Sequence, residues 1–192
     1  MKFIFLILFC ALMVTCSNPP AATVIKTDPV DTMNQVFFPV TSFIGGQLFE
    51  FKQRGMSPLK YIRAGGHNDS LFLKPEEIEK EAKPFLTPLI DTTNLSGLFT
   101  ESKFFDQTLN LITYSYSPKK ALPDSMELSR WDVYVDPEIS RVKRIYMEKL
   151  LPDHTRQLLT WVSGKWFSIV RVETGKDGQT SITREEKITW EY

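Results

Sequence analysis

Residues 126–192 constrain the fold more than any other stretch, because apolar and polar side chains alternate there in short segments. In residues 130–136, Trp131 and Val133 point to one side of the chain, whereas Asp132 and Tyr134 point to the other. A period of two is typical of a half-buried strand. Turn-forming residues separate the segments at Pro137, Ser163-Gly164 and Asp177-Gly178. The pattern therefore predicts consecutive antiparallel strands that form a meander.

Two hairpins of this meander have a predicted register. In the first, Asp136 faces Arg141 and Tyr134 faces Lys143. In the second, Ser163-Gly164 is read as a two-residue turn, which a glycine favours. That turn pairs Trp161 with Trp166 and places the two tryptophans on the face opposite Phe167. An earlier strand is expected over residues 107–116, and residues 94–102 read as a loop.

The region before the meander predicts two helices and one hairpin. Apolar residues at spacings of three and four predict a helix over residues 38–54. Gly45-Gly46 in its middle is explained either by close packing on the sheet or by a notch that admits a ligand. Residues 58–63 and 70–73 read as a hairpin. A second helix is expected to begin near Pro75 and to end near Lys83.

These elements together predict an α+β fold. We expect an antiparallel β-meander of five to seven strands, as a curved sheet or half-barrel, with two N-terminal helices packed on one face. The chain of 192 residues is long enough for one such domain, which we assign to residues 32–192.

The first sixteen residues predict export. Lys2 precedes an apolar run of about a dozen residues, which is too short to span a bilayer but suits a signal peptide. Cys16 ends this run and resembles the acylated cysteine of a bacterial lipobox, so residues 1–16 are predicted to be a lipoprotein signal peptide. The alternatives are an ordinary signal peptide cleaved near Thr15 and an uncleaved anchor. Residues 17–31 read as a proline-containing tether.

Composition argues against several kinds of function. Lys and Arg total 23 and balance 23 Asp and Glu, so the basic excess of a nucleic-acid-binding protein is missing. Both cysteines, Cys10 and Cys16, lie in the leader, and the two histidines, His67 and His154, lie in predicted turns. We therefore expect no metal site, no cofactor and no catalytic residues, and the chain is predicted not to be an enzyme.

The notable surplus is aromatic, and it falls on the predicted strands. Because both faces of the sheet carry large apolar residues, the second face either completes a two-sided core or is exposed to a partner. The candidate binding surface consists of six strand residues: Trp131, Tyr134, Trp161, Trp166, Phe167 and Trp190.

The lipobox, the proline tether, the segments 131–136 and 187–190 and the Trp-Glu-Tyr ending together resemble small Bacteroidota lipoproteins that have no assigned activity. The resemblance implies a location, with lipid on Cys16 holding the protein at the outer membrane, facing the periplasm. The sequence hypothesis is a non-enzymatic binding or assembly module for an envelope protein partner. The alternatives are a carrier or sensor of an apolar, lipid-like ligand held between sheet and helix, and a hydrolase with an unrecognised site.

Overall fold

The computed structural model describes residues 36–190. The predicted signal peptide, Cys16 and the tether lie outside these residues. Among the described residues no helix is long and apolar enough to cross a membrane. The helices are α1 (Val40–Arg54) and α2 (Ile78–Leu86), and a 3₁₀ turn (Pro75–Glu77) precedes α2. The strands are β1 (Leu59–Ala64), β2 (His67–Phe72), β3 (Phe99–Asp106), β4 (Leu111–Pro118), β5 (Leu128–Asp136), β6 (Arg141–Leu150), β7 (Arg156–Val162), β8 (Trp166–Thr174) and β9 (Thr180–Thr189).

All nine strands form one antiparallel sheet in the order β2-β1-β9-β8-β7-β6-β5-β4-β3, and this sheet is not closed. The α+β class and the antiparallel meander are confirmed, but the predicted count of five to seven strands is too low. Two features explain the difference. Residues 99–106 form β3 although residues 94–102 were expected to be a loop, and the β1–β2 hairpin joins the same sheet beside β9. The half-barrel curvature stays a prediction.

The register of both predicted hairpins needs correction by one residue. Asp136 does face Arg141, but a bulge after Tyr134 pairs Tyr134 with Arg144 and not with Lys143. The β7–β8 connection uses three residues, 163–165, so Trp161 pairs with Phe167 and Val162 pairs with Trp166. Because neighbouring residues of a strand face opposite sides, this slip moves Trp166 to the other face of the sheet.

One face of the sheet, here called the helix face, is covered by both helices. The helix α1 buries Val40, Ile44, Leu48 and Phe51, and it ends at Gly55 in the left-handed conformation that glycine tolerates. The helix α2 continues to Leu86, past the predicted end near Lys83, with Pro84 in its last turn. Gly45 and Gly46 contradict the predicted close packing, because no atom outside the local helix lies within 4 Å of a Cβ built at either position.

The core between the helices and the sheet consists of interlocking aromatic rings. Trp161 stacks on Phe167 with ring centroids 5.1 Å apart, and Phe85 of α2 meets both rings edge-on at 5.4 Å. Phe51 of α1 lies 5.4 Å from Trp190. A second group stacks Tyr116 on Trp131 at 4.5 Å. Each such pair contributes about 0.5–1.5 kcal/mol beyond the burial of its apolar area.

Candidate binding sites

Four of the six residues predicted to form a binding surface lie in the core instead. Trp131, Trp161 and Phe167 are fully buried, and Trp190 is 8% exposed. All four lie on the helix face. The rings of Trp161 and Phe167 contact Phe85 of α2 and that of Trp190 contacts Phe51 of α1, whereas Trp131 packs against Phe37, Phe99 and Tyr116. The prediction of one exposed aromatic surface is therefore corrected for these four residues, which are structural in the described part of the protein.

Tyr134 and Trp166 lie on the opposite face of the sheet, here called the outer face, and both are half-buried. The Arg144 guanidinium lies 4.0 Å from the centre of the Tyr134 ring, and the Lys187 ammonium lies 4.5 Å from the centre of the Trp166 ring. These are cation–π contacts. Because a cation lies over each ring, Tyr134 and Trp166 do not form the flat aromatic patch that was predicted for docking.

The predicted ligand position between α1 and the sheet is filled by protein. Leu48 is 3% exposed and contacts the core, while Phe43 packs against its margin and meets Phe38 at 5.5 Å. The Trp161 indole N–H donates a 2.7 Å hydrogen bond to Gln47 Oε1 on α1, which fixes the helix to the sheet. This packing argues against an apolar ligand at that position.

The titratable side chains of the described residues are those on which metal or catalytic chemistry would depend. Within residues 36–190, no three His, Cys, Asp or Glu side chains lie close enough to hold a metal ion. His67 begins β2 and His154 lies in the β6–β7 turn, and both are exposed. Asp132 is 3% exposed on β5, and its Oδ2 accepts a 2.7 Å hydrogen bond from Arg130.

Tyr146 and Glu148 form a hydrogen bond on the outer face, close to Asp132. Tyr146 lies across from Asp132 on β6, and its hydroxyl donates a 2.8 Å hydrogen bond to Glu148. Burial of the phenol, reinforced by Glu148, raises the Tyr146 pKa above its ordinary value. The hydrogen bond that Arg130 donates to Asp132 raises the pKa of Arg130. Both groups are protonated at neutral pH even at their ordinary pKa values, so neither shift changes their charge there.

A groove at one end of the sheet is the candidate binding site that sequence reasoning missed. It lies between the β4–β5 and β6–β7 connections and has a volume of about 450 Å³. We call it the loop groove. Its apolar lining consists of Leu122, Pro123, Met126, Leu150, Leu151 and Pro152, and its polar lining consists of Asp124, Glu127, Ser129 and His154.

Hydrogen bonds hold the two walls of the loop groove in place. The Leu150 backbone N–H donates to the Glu127 carbonyl at 2.8 Å, which joins the walls. The Met126 N–H donates to the Pro123 carbonyl at 2.9 Å, and the His154 N–H donates to the Leu151 carbonyl at 2.9 Å. Loop sites positioned by a rigid scaffold commonly carry binding function.

The charge of the loop groove is negative. Asp124 and Glu127 line it, whereas no lysine or arginine does. Asp153 belongs to the same turn as His154, and a hydrogen bond from the Thr155 backbone N–H lowers the pKa of its carboxyl group. The groove therefore offers apolar contact beside carboxylates. The signal for it in the sequence is weak, namely the apolar residues Leu122 and Met126 inside a loop.

Comparisons of the chain with protein-family models, with curated proteins and with solved structures found no match.

Proposed function

We propose that the protein is a lipid-anchored component of the cell envelope that binds a protein partner in the loop groove and does not transform it. The observation that carries the proposal is the groove itself, in which six apolar side chains lie beside Asp124 and Glu127. Apolar pockets with a few placed polar groups are typical binding sites. The signal-peptide pattern ending at Cys16 supports the anchor, with the outer membrane facing the periplasm as the location.

The lining of the loop groove determines the kind of partner. Leu150 is 48% exposed, so a partner can bury it, and the groove has room for one or two apolar side chains. Carboxylates without lysine or arginine among them favour a partner segment that carries basic residues beside its apolar anchor. Such a segment matches the groove better than an acyl chain does, because an acyl chain has no group to pair with Asp124 and Glu127.

The experiment is co-purification of the full-length protein from membranes of its own host, with quantitative proteomics. We compare wild type with Leu150→Lys, which fills the groove, and Asp124→Lys, which reverses its charge. The matched control is Ile182→Lys, because Ile182 is 58% exposed and does not line the groove. We expect one protein whose recovery falls at least about tenfold with both groove variants and stays at the wild-type level with the control.

Two results would contradict the proposal. One is a partner that the groove variants retain as well as the control does. The other is native mass spectrometry that finds a bound lipid, in place of a protein, lost on Leu150→Lys. That second result would establish the carrier function instead.

A further inference from the structure

A cross-strand row of basic and amide side chains lies on the helix face, at the margin of the aromatic core. Lys149 pairs with Gln157, Gln157 pairs with Arg171, and Arg171 pairs with Arg184, so four adjacent strands contribute one residue each. Side chains directly opposite one another have Cβ atoms about 4.5–5.5 Å apart. Each member of the row therefore lies close to its neighbour, and Gln157, Arg171 and Arg184 lie opposite α2.

The helix α2 and this row enclose a cleft. Lys80, Glu81 and Pro84 of α2 face Gln157, Arg171 and Arg184 across a cavity of about 140 Å³. That is well below the roughly 300–1,000 Å³ of sites for drug-sized ligands, so the cleft has room for only a compact group. We call it the α2 cleft.

Two acids of the α2 cleft are already paired. Lys60 lies 2.7 Å from Glu81 and 3.4 Å from Glu186, and Arg184 lies 2.5 Å from Glu186. Burial alone would raise the pKa of Glu186, but the bonds with Arg184 and Lys60 outweigh it and lower that pKa. Lys60 and Arg184 thus neutralise both carboxylates.

The two other cations that line the cleft, Arg171 and Lys80, form no ion pair with a described residue. Within residues 36–190, no carboxylate lies within 4.0 Å of Arg171 or Lys80. The charge of Arg171 contributes to lowering the pKa of Asp153, but the two side chains form no ion pair. Arg171 directly opposes Arg184, and like charges in that position destabilise a sheet. The cleft lining thus carries three cations, Lys80, Arg171 and Arg184, against two acids, Glu81 and Glu186.

The row also contains two polar side chains that are largely buried and make no hydrogen bond with a described residue. Gln157 lines the cleft and is 5% exposed as a whole residue, and no described residue forms a hydrogen bond with its side-chain amide, whose polar atoms still reach solvent. Lys149, its neighbour in the row, is 3% exposed, and Glu127 acts on it only at longer range. The N–H groups of the Gln157 amide are therefore available to donate to a group bound in the cleft.

We propose that the α2 cleft binds a small oxyanion of the phosphate class, with Arg171 and Lys80 as its charge partners and the Gln157 amide as a hydrogen-bond donor. Arginine matches the geometry of phosphate oxygens and forms charge-assisted hydrogen bonds with them. The free ion and the phosphate of a small ester share this chemistry. The site is separate from the loop groove and does not depend on the proposed function.

The test is calorimetric titration of the full-length protein in phosphate-free buffer at constant ionic strength. One arm uses inorganic phosphate, one uses glycerol 3-phosphate and one uses acetate. We expect saturable binding of at least one phosphate compound and weaker binding of acetate. Tighter binding of inorganic phosphate identifies the free ion as the ligand, and tighter binding of the ester identifies a headgroup-type phosphate.

Variants make the test specific to the α2 cleft. Arg171→Gln and Lys80→Gln change exposed side chains and should leave the fold intact, which circular dichroism verifies. We expect each to weaken phosphate binding at least about tenfold, as loss of a charge-assisted hydrogen bond does. Lys176→Gln, in the β8–β9 turn, is the control and should change affinity less than about twofold. No saturable binding to folded wild type, or equal affinity in Arg171→Gln, would overturn the proposal.

Discussion

At the scale of single residues, Gln47 is the side chain that joins α1 to the β7–β8 hairpin. Its Oε1 atom accepts hydrogen bonds from the Trp161 indole at 2.7 Å and from the Gly164 backbone N–H at 3.3 Å. One amide therefore satisfies a buried indole and closes the β7–β8 turn onto α1. Sequence patterns cannot predict this contact, because residues 47 and 161 are far apart in the chain and a glutamine on a helix is usually solvated.

Gln47→Leu should lower the free energy of unfolding by about 1–3 kcal/mol, because it leaves the buried Trp161 N–H without an acceptor. Urea denaturation measures the change. Gln53→Leu is the matched control, since Gln53 is exposed on the same helix, and it should change stability by less than about 0.5 kcal/mol. Equal effects of the two substitutions would show that the Gln47 hydrogen bond contributes nothing.

Lys149 gives the opposite prediction, a substitution that stabilises. Burial lowers the pKa of its ammonium group from the ordinary 10.5, so the charged form is disfavoured in the folded protein. Lys149→Met should raise the free energy of unfolding by about 1 kcal/mol at neutral pH, because it removes a buried charge without an ion pair. Thermal unfolding in phosphate-free buffer measures this, with exposed Lys176→Met as the control.

The pH dependence of that effect has a definite sign. Between the folded pKa of Lys149 and 10.5, the unfolded chain binds more protons than the folded protein does. Stability of the wild type therefore rises with pH through that window. The advantage of Lys149→Met should be largest at neutral pH and should shrink as the pH approaches 10.5. An advantage that stays constant over this range would contradict the assignment.

At the scale of elements, the turns decided which sequence predictions succeeded. The alternation of residues 130–136 predicted β5 correctly, and the glycine at position 164 predicted the β7–β8 turn. The predicted length of that turn was too short by one residue. Trp161 therefore pairs with Phe167 and not, as predicted, with Trp166. Alternation within a strand does not encode turn length, so the faces of β8 could not be assigned from its own sequence.

The strand β3 was missed for a different physical reason. Phe104 and Phe105 are adjacent and both are partly exposed, at 42% and 38%. An edge strand with little burial on either face lacks the alternation that identifies other strands. The loop groove was equally hidden, because Leu122 and Leu150 meet only through the packing of two connections.

Gly164→Val tests the β7–β8 turn. The backbone angle φ at Gly164 is +72°, which a β-branched residue resists. We expect a loss of about 1–2 kcal/mol in the free energy of unfolding, measured by chemical denaturation. Gly164→Asn is the matched comparison, because asparagine tolerates this conformation and should cost much less. An unchanged midpoint for the valine variant would show that the turn relaxes to another conformation.

At the scale of the whole molecule, the proposed anchor and the described domain are connected by residues that the structure does not describe. Cys16→Ser should move the protein from the membrane fraction to the soluble fraction, because acyl chains on Cys16 are the proposed attachment. Cys10→Ser should leave the protein with membranes, since Cys10 lies inside the apolar run. Cell fractionation with immunoblotting measures both. Cys16→Ser protein that still sediments with membranes after a carbonate wash would contradict lipid anchoring.

The described domain is a nine-stranded sheet in which Trp161 and Trp190 pack against the two helices, and this leaves the loops and margins as candidate binding sites. Five of the six aromatic residues were correctly located on strands, whereas Trp190 directly follows β9. Their purpose was assigned to recognition, but four of the six are buried in the core. Burial is decided by which face the helices cover, and composition alone does not determine that. Our central claim is therefore that recognition takes place in the loop groove and not through the tryptophans.

Site-specific photo-cross-linking in intact host cells tests that claim most directly. A photoreactive amino acid replaces Leu150 in the loop groove or, as the control, Ile182 outside it. We predict a cross-link from position 150 to one defined protein, abolished by an added Met126→Lys substitution, and no cross-link to that protein from position 182. The same cross-linked protein from both positions, or one that survives Met126→Lys, would contradict the claim.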